Sequence, residues 1–74
     1  MNTQQKIDYL YGRSVRLLDE LNNNDQDRIQ AETKIKTMTT VDRAYEIMNH
    51  IEYLLDVRNI EYDEPAEFVF EKYL

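Results

Sequence analysis

Arg28-Ile29-Gln30-Ala31-Glu32-Thr33-Lys34-Ile35-Lys36-Thr37 is the stretch whose reading decides the fold. Ile29, Ala31, Thr33, Ile35 and Thr37 alternate without a break with charged or amide side chains, the two-residue period of a half-buried strand. The same residues also read as a helix. Ala31, Ile35 and Met38 make a narrow stripe at helical spacing, and Gln, Ala, Glu and Lys are good helix formers. A strand needs a neighbour to satisfy its backbone, and Ile60–Tyr62 is the one other short candidate. Helix is the reading adopted for residues 28–37, with a strand as the alternative.

The flanking segments carry a plain helical period. From Thr3 to about Leu21, Leu17, Leu10, Leu21, Ser14, Ile7, Leu18, Tyr11 and Val15 fall on one arc about 160° wide. Lys6, Asp8, Arg13, Arg16, Asp19 and Glu20 occupy the opposite arc, and Tyr9 reads as exposed. Thr3 is the expected N-cap, and the polar run Asn22-Asn23-Asn24-Asp25 ends the helix and supplies the next cap. Ser14 sits inside the apolar stripe. There a small side chain returns its hydroxyl to the Leu10 carbonyl and lets a neighbouring helix come close. Gly12 lies on the polar side at a cost of about 1 kcal/mol relative to Ala, a weak hint that something approaches the backbone there.

Downstream, Thr39 or Thr40 opens a second strong helix that runs to about Arg58. Thr39 with Asp42 resembles a capping box in which Asp replaces the usual Glu or Gln. Leu54, Ile47, Ile51, Ala44, Leu55, Met48 and Val41 define its apolar arc, about 140° wide. Asn59 is a reasonable stop. Asp63-Glu64-Pro65 then provides a carboxylate cap and a first-turn proline for a short terminal helix from Pro65 to Leu74. The expectation is one all-α domain over residues 1–74, a small bundle of three to four helices.

With 74 residues the core is small, and one this size supplies only about 3–5 kcal/mol without help. There is no cysteine, so neither disulfides nor thiolate zinc sites contribute. Good helix packing or self-association has to stabilise the fold, and a homodimer at moderate concentration is expected, with Phe68, Phe70, Tyr73 and Leu74 as its apolar end. The first residues lack the apolar segment of a secretory signal, and no apolar run approaches the roughly 20 residues of a membrane span. A cytoplasmic protein is the expectation.

Charge is unevenly placed. Residues 1–40 carry six acidic and six basic side chains, whereas residues 41–74 carry nine acids against Arg43, Arg58 and Lys72, so the net charge of −6 lies there. A helix–turn–helix drawn over residues 27–46 lacks basic clustering, and its second helix opens Val41-Asp42-Arg43-Ala44-Tyr45-Glu46. Phosphate recognition needs lysines and arginines on one face, so direct nucleic-acid binding is not expected. An acidic amphipathic helix is likewise repelled by anionic membranes.

No arrangement of residues suggests catalysis. His50 is the single histidine and has no Ser or Thr in an obvious partner position, while one glycine does not make a phosphate-binding loop. Glu46 and His50, four apart, are two ligands where a metal site needs three or four. No cofactor, no metal and no enzymatic activity are expected.

What remains is a surface for a protein. Opposite the core stripe of the second strong helix lie Glu52, Tyr45, Asp56, Asn49, Asp42, Tyr53 and Glu46. Tyrosines offer large amphipathic contact area and carboxylates steer a basic partner. The bland alternative is a solvated face with incidental tyrosines. The expected role is that of an inhibitor, adaptor or regulator binding a protein with a basic surface, and the short length suits a phage or mobile-element product aimed at a host protein. The rival readings are a nucleic-acid mimic that blocks a nuclease or DNA-binding protein, and a self-assembling structural component.

Overall fold

The computed structural model describes residues 2–62, which form three α-helices: α1 (Thr3–Leu18), α2 (Gln26–Ile35) and α3 (Val41–Val57). Residues 28–37 resolve in favour of the helix, and among the described residues there is no strand. The alternation of Ile29 and Thr33 with charged neighbours does not set the backbone. α2 turns in only Ala31 and Ile35 and leaves Ile29 in water. The terminal helix expected from Pro65, and the apolar end at Phe68 to Leu74, lie outside the described residues.

Each helix begins on a polar cap, and the first of them lies one residue before the Thr3 that the sequence suggested. Asn2, not Thr3, caps α1. The Gln5 amide donates to Asn2 Oδ1 at 2.8 Å, and the Asn2 amide donates to Gln5 Oε1 at 3.0 Å. That reciprocal pair is a capping box, and a cap of this kind contributes about 1 kcal/mol. Of Thr39 and Thr40, it is Thr40 that caps α3, its hydroxyl accepting from the Arg43 amide at 3.1 Å. With the cap at Thr40, the third helical residue is Arg43, a donor that cannot close the box expected with Asp42. Asp25 from the polar run caps α2, accepting from the Asp27 amide at 2.9 Å.

α3 stops at Asn59, whose φ of 56° is the left-handed conformation that asparagine tolerates better than most residues. The turn lets the Asn59 amide donate to the Asp56 carbonyl (3.1 Å) and the Ile60 amide to the Leu55 carbonyl (3.0 Å). Those are the two bonds of a Schellman motif, and they fold Ile60 back onto the core. Tyr62 packs there as well.

One core joins the helices, built from Leu10, Leu17, Leu18 and Leu21, from Ala31, Ile35 and Met38, and from Ala44, Ile47, Met48, Ile51, Leu54 and Leu55. α1 and α3 form the more extensive pair. Ser14 lies at their crossing, fully buried, as the small residue that permits close approach. Its hydroxyl donates to the Leu10 carbonyl at 2.7 Å, and the Met48 sulfur of α3 lies 3.4 Å from the same oxygen.

α1 is rotated relative to its hydropathy pattern. Tyr11 and Val15, expected in the core, are exposed, whereas Arg13, expected in water, is only 1% exposed. Tyr9, also expected in water, is half-buried against the core. In this phase Arg13 Nη2 lies 3.8 Å from Oε1 of Glu52 on α3, so the buried guanidinium has a countercharge. At Gly12 nothing approaches the backbone, and a Cβ there would meet open space.

A second charged cluster fixes the C-terminal end of α3. Arg58 donates from Nε and Nη2 to the two Asp25 carboxylate oxygens (3.0 and 3.2 Å), from Nη2 to Asp27 (2.8 Å), and from Nη1 to the Leu54 carbonyl (2.9 Å). The residue that caps α2 is thus held in a two-pronged grip by the residue that ends α3. Hydrogen bonding to Asp27 and the nearby Asp25 charge raise the Arg58 pKa above its ordinary value, with burial opposing.

Candidate protein-binding face

The outer surface of α3 is where the sequence placed a binding face, and the helix divides those seven residues into five exposed, one half-buried and one buried. Asp42, Glu46, Asn49, Tyr53 and Asp56 are exposed. Tyr53 is 59% exposed. Tyr45 is half-buried and packs against the core, so only part of its ring is available to a partner.

Glu52 does not belong to this face. It is 6% exposed, and its Oε1 lies 3.8 Å from Nη2 of Arg13. Its position at the margin of the apolar stripe, roughly 40° beyond Met48 at helical spacing, lets α1 cover it. Periodicity alone assigns such a marginal residue to water. The one signal for the alternative was an opposite charge at the matching margin of α1, where Arg13 stands four residues before Leu17.

The structure adds Val57, which pattern reading left out. It is exposed and one turn beyond Tyr53, so the two make an apolar pair in solvent at the C-terminal half of α3. Around the pair stand Asn49 and Asp56, with Glu46 and Asp42 one and two turns further back. Arg43 offsets part of this acidity, its Nη1 lying 3.4 Å from Glu46 and its Nε donating to the Thr37 hydroxyl at 3.3 Å.

Tyr62 joins the edge of the face to the rest of the bundle. Its hydroxyl donates to Asp56 Oδ2 at 3.3 Å. Burial pushes its pKa up to about 12, and Glu52 and Asp56 add to the rise by disfavouring a phenolate, while Arg13 opposes it. Beside it a cleft of about 180 Å³ is lined by Arg13, Arg16, Leu17, Glu20, Glu61 and Tyr62. Its mixture of two cations and two anions favours no ligand charge.

His50 is half-buried at the margin of α3, and it shares a shallow depression with Lys34, Arg43, Glu46 and Ile47. Among the described residues no three or more His, Asp or Glu side chains come together as metal ligands. None of the described helices is long and apolar enough to cross a membrane. Comparison with protein-family models, with curated proteins and with solved structures yields no match to this chain.

Proposed function

We propose that this small helical protein works by binding another protein, as an inhibitor, adaptor or regulator, through the outer face of α3. The observation that carries the reading is the exposed Tyr53–Val57 pair beside Asp56, with Glu46 and Asp42 further along the same face of α3. Tyrosine is among the side chains that dominate binding energy at interfaces, and Val57 one turn away widens its apolar contact area. Carboxylates around such an anchor raise the association rate of a basic partner and discourage acidic ones. The partner is therefore a protein with a basic surface carrying an apolar recess.

Burial of Glu52 removes one carboxylate from the surface and Arg43 offsets the charge of Glu46, which favours this reading over a mimic of the nucleic-acid backbone. The test begins with capture of the partner from the native host and titration of the purified pair. Tyr53→Ala is expected to weaken binding by about 2 kcal/mol or more. Charge reversal at Asp42, Glu46 and Asp56 is expected mainly to slow association and reduce its dependence on salt. Loss of binding from the charge reversals with no effect of Tyr53→Ala would support the mimic instead. Full affinity in both sets would place the interface elsewhere.

A further inference from the structure

α2 is held in the bundle differently from its neighbours. α1 and α3 each bury a run of large apolar side chains, whereas α2 buries Ala31 and Ile35, one of them a single methyl, with Met38 just beyond its end. Both α2 residues lie in its C-terminal half, close to the turn that leads into α3. Hydrophobic hold scales with the apolar area removed from water, so the N-terminal half of α2 has little of it. Ten residues are also too few to make a stable helix without tertiary contacts.

Polar ties hold that half instead. Arg28 donates to the Leu21 carbonyl at 2.8 Å and to Asn23 Oδ1 at 2.6 Å, partners in the loop that precedes its own helix. Those bonds are local and can travel with α2. Arg58 is different, because it stands at the end of α3. It grips Asp25 and Asp27 across 33 and 31 residues of chain, and those bonds have to break when α2 leaves α3. The Arg58 side chain is 29% exposed, so its ionic ties are open to water and to screening by salt.

We propose that α2 is a latched flap. It lifts off the α1–α3 pair in an opening of its own, short of unfolding that pair, and the Arg58 grip on Asp25 and Asp27 sets how rarely it does so. The more extensive packing of α1 on α3, with Ser14 buried at their crossing, lets those two helices stay together when α2 lifts. Lifting removes Ile35 from the core it shares with Leu18 and so presents apolar surface that the closed protein hides. Moving elements are drawn from such units of low local stability. The flap stands whether or not the α3 face binds a partner.

Amide hydrogen exchange of the full chain, followed by NMR across a series of low urea concentrations, tests the latch. The α2 amides are expected to exchange at least about tenfold faster than the slowest amides of α1 and α3, with a weaker dependence on urea because less surface opens. Arg58→Gln should speed α2 exchange by about tenfold or more, since it removes charge-assisted bonds that the opening breaks. Asp27→Asn weakens one of those bonds and carries the same expectation at smaller magnitude should Arg58→Gln unfold the chain. Added salt should speed α2 exchange more in the parent than in Arg58→Gln. If the α2 amides matched those of α1 and α3 in both rate and urea dependence, the flap would be overturned. If α2 exchange were indifferent to both variants, the latch would be overturned, because the opening would then leave Arg58 bound.

Discussion

Arg13 of α1 and Glu52 of α3 face each other across the helix pair at 3.8 Å, both withdrawn from solvent at one margin of an otherwise apolar seam. Two ionised groups inside a bundle this small bear a desolvation cost that their attraction only partly repays. The pair is therefore better understood as a setting of helix phase than as a source of stability. In the phase that buries Arg13, Tyr11 and Val15 face outward.

Truncating either partner alone should be costly, because it removes the countercharge of a buried ion. Glu52→Ala and Arg13→Ala are each expected to destabilise by roughly 3–5 kcal/mol. Replacing both, as in Arg13→Met with Glu52→Leu, should cost far less than the sum of the two. Urea unfolding of the single and double variants measures that difference. Additive losses would show that the two residues act separately.

The largest apolar losses should come from the positions nearest the centre of each stripe. Leu17 and Ile51 are both buried, as helical spacing places them. Leu17→Ala and Ile51→Ala are expected to cost about 2–5 kcal/mol each through lost burial and residual cavity, a large part of the stability of a domain this size. A melting temperature equal to that of the parent would show that the site collapses without a cavity.

Those two residues also show why the fold was legible and where legibility ended. Stripes of Leu, Ile and Met at helical spacing fix the existence and approximate phase of α1 and α3, because apolar burial dominates their packing. The choice at residues 28–37 turned on helix propensity and the want of a pairing strand, and the Asp25 cap adds a start signal of its own. The alternation there was only apparent. What hydropathy could not supply was the fine rotation of α1, since Arg13 and Glu52 each look solvent-bound alone and become buried only as a pair. The candidate face was read with the same bias, which kept Glu52 and left out Val57. Cap identity was the third shortfall, since Asn2 and Thr3, or Thr39 and Thr40, differ by less than pattern can resolve.

Gly12 supplies a gain rather than a loss. It lies within α1, its φ is not positive, and an added Cβ meets nothing within 4 Å. Gly12→Ala should therefore stabilise the protein by about 0.4–1 kcal/mol, mostly by restricting the unfolded chain. An increase in melting temperature checks this. A decrease would mean that α1 needs the missing side chain.

Tyr62 makes stability sensitive to alkaline pH. Its pKa is raised from 10.0 to about 12, chiefly by burial, with Glu52 and Asp56 contributing. The fold thus favours the neutral phenol. This contribution is fully present below pH 10 and is lost as pH rises through 12. Ultraviolet titration should show Tyr62→Phe removing a late phenolate transition, and the variant's stability should fall less steeply across that window. An unchanged titration curve would place Tyr62 in an ordinary solvent environment.

Tyr45 and Tyr53, two turns apart on α3, should separate folding from binding. Tyr45 is half-buried against the core whereas Tyr53 is among the most exposed large side chains of the described residues. Tyr45→Ala is therefore expected to cost about 1–2 kcal/mol of stability, in proportion to its partial burial. Tyr53→Ala should stay within about 0.5 kcal/mol of the parent, as surface changes do. Against a captured partner the order should reverse, with Tyr53→Ala the more damaging, because an anchor already committed to its own core has less area to offer. Thermal melts and binding titrations on the same two variants measure both halves. Equal losses of binding from both would extend the interface around α3 towards the margin where Tyr45 packs.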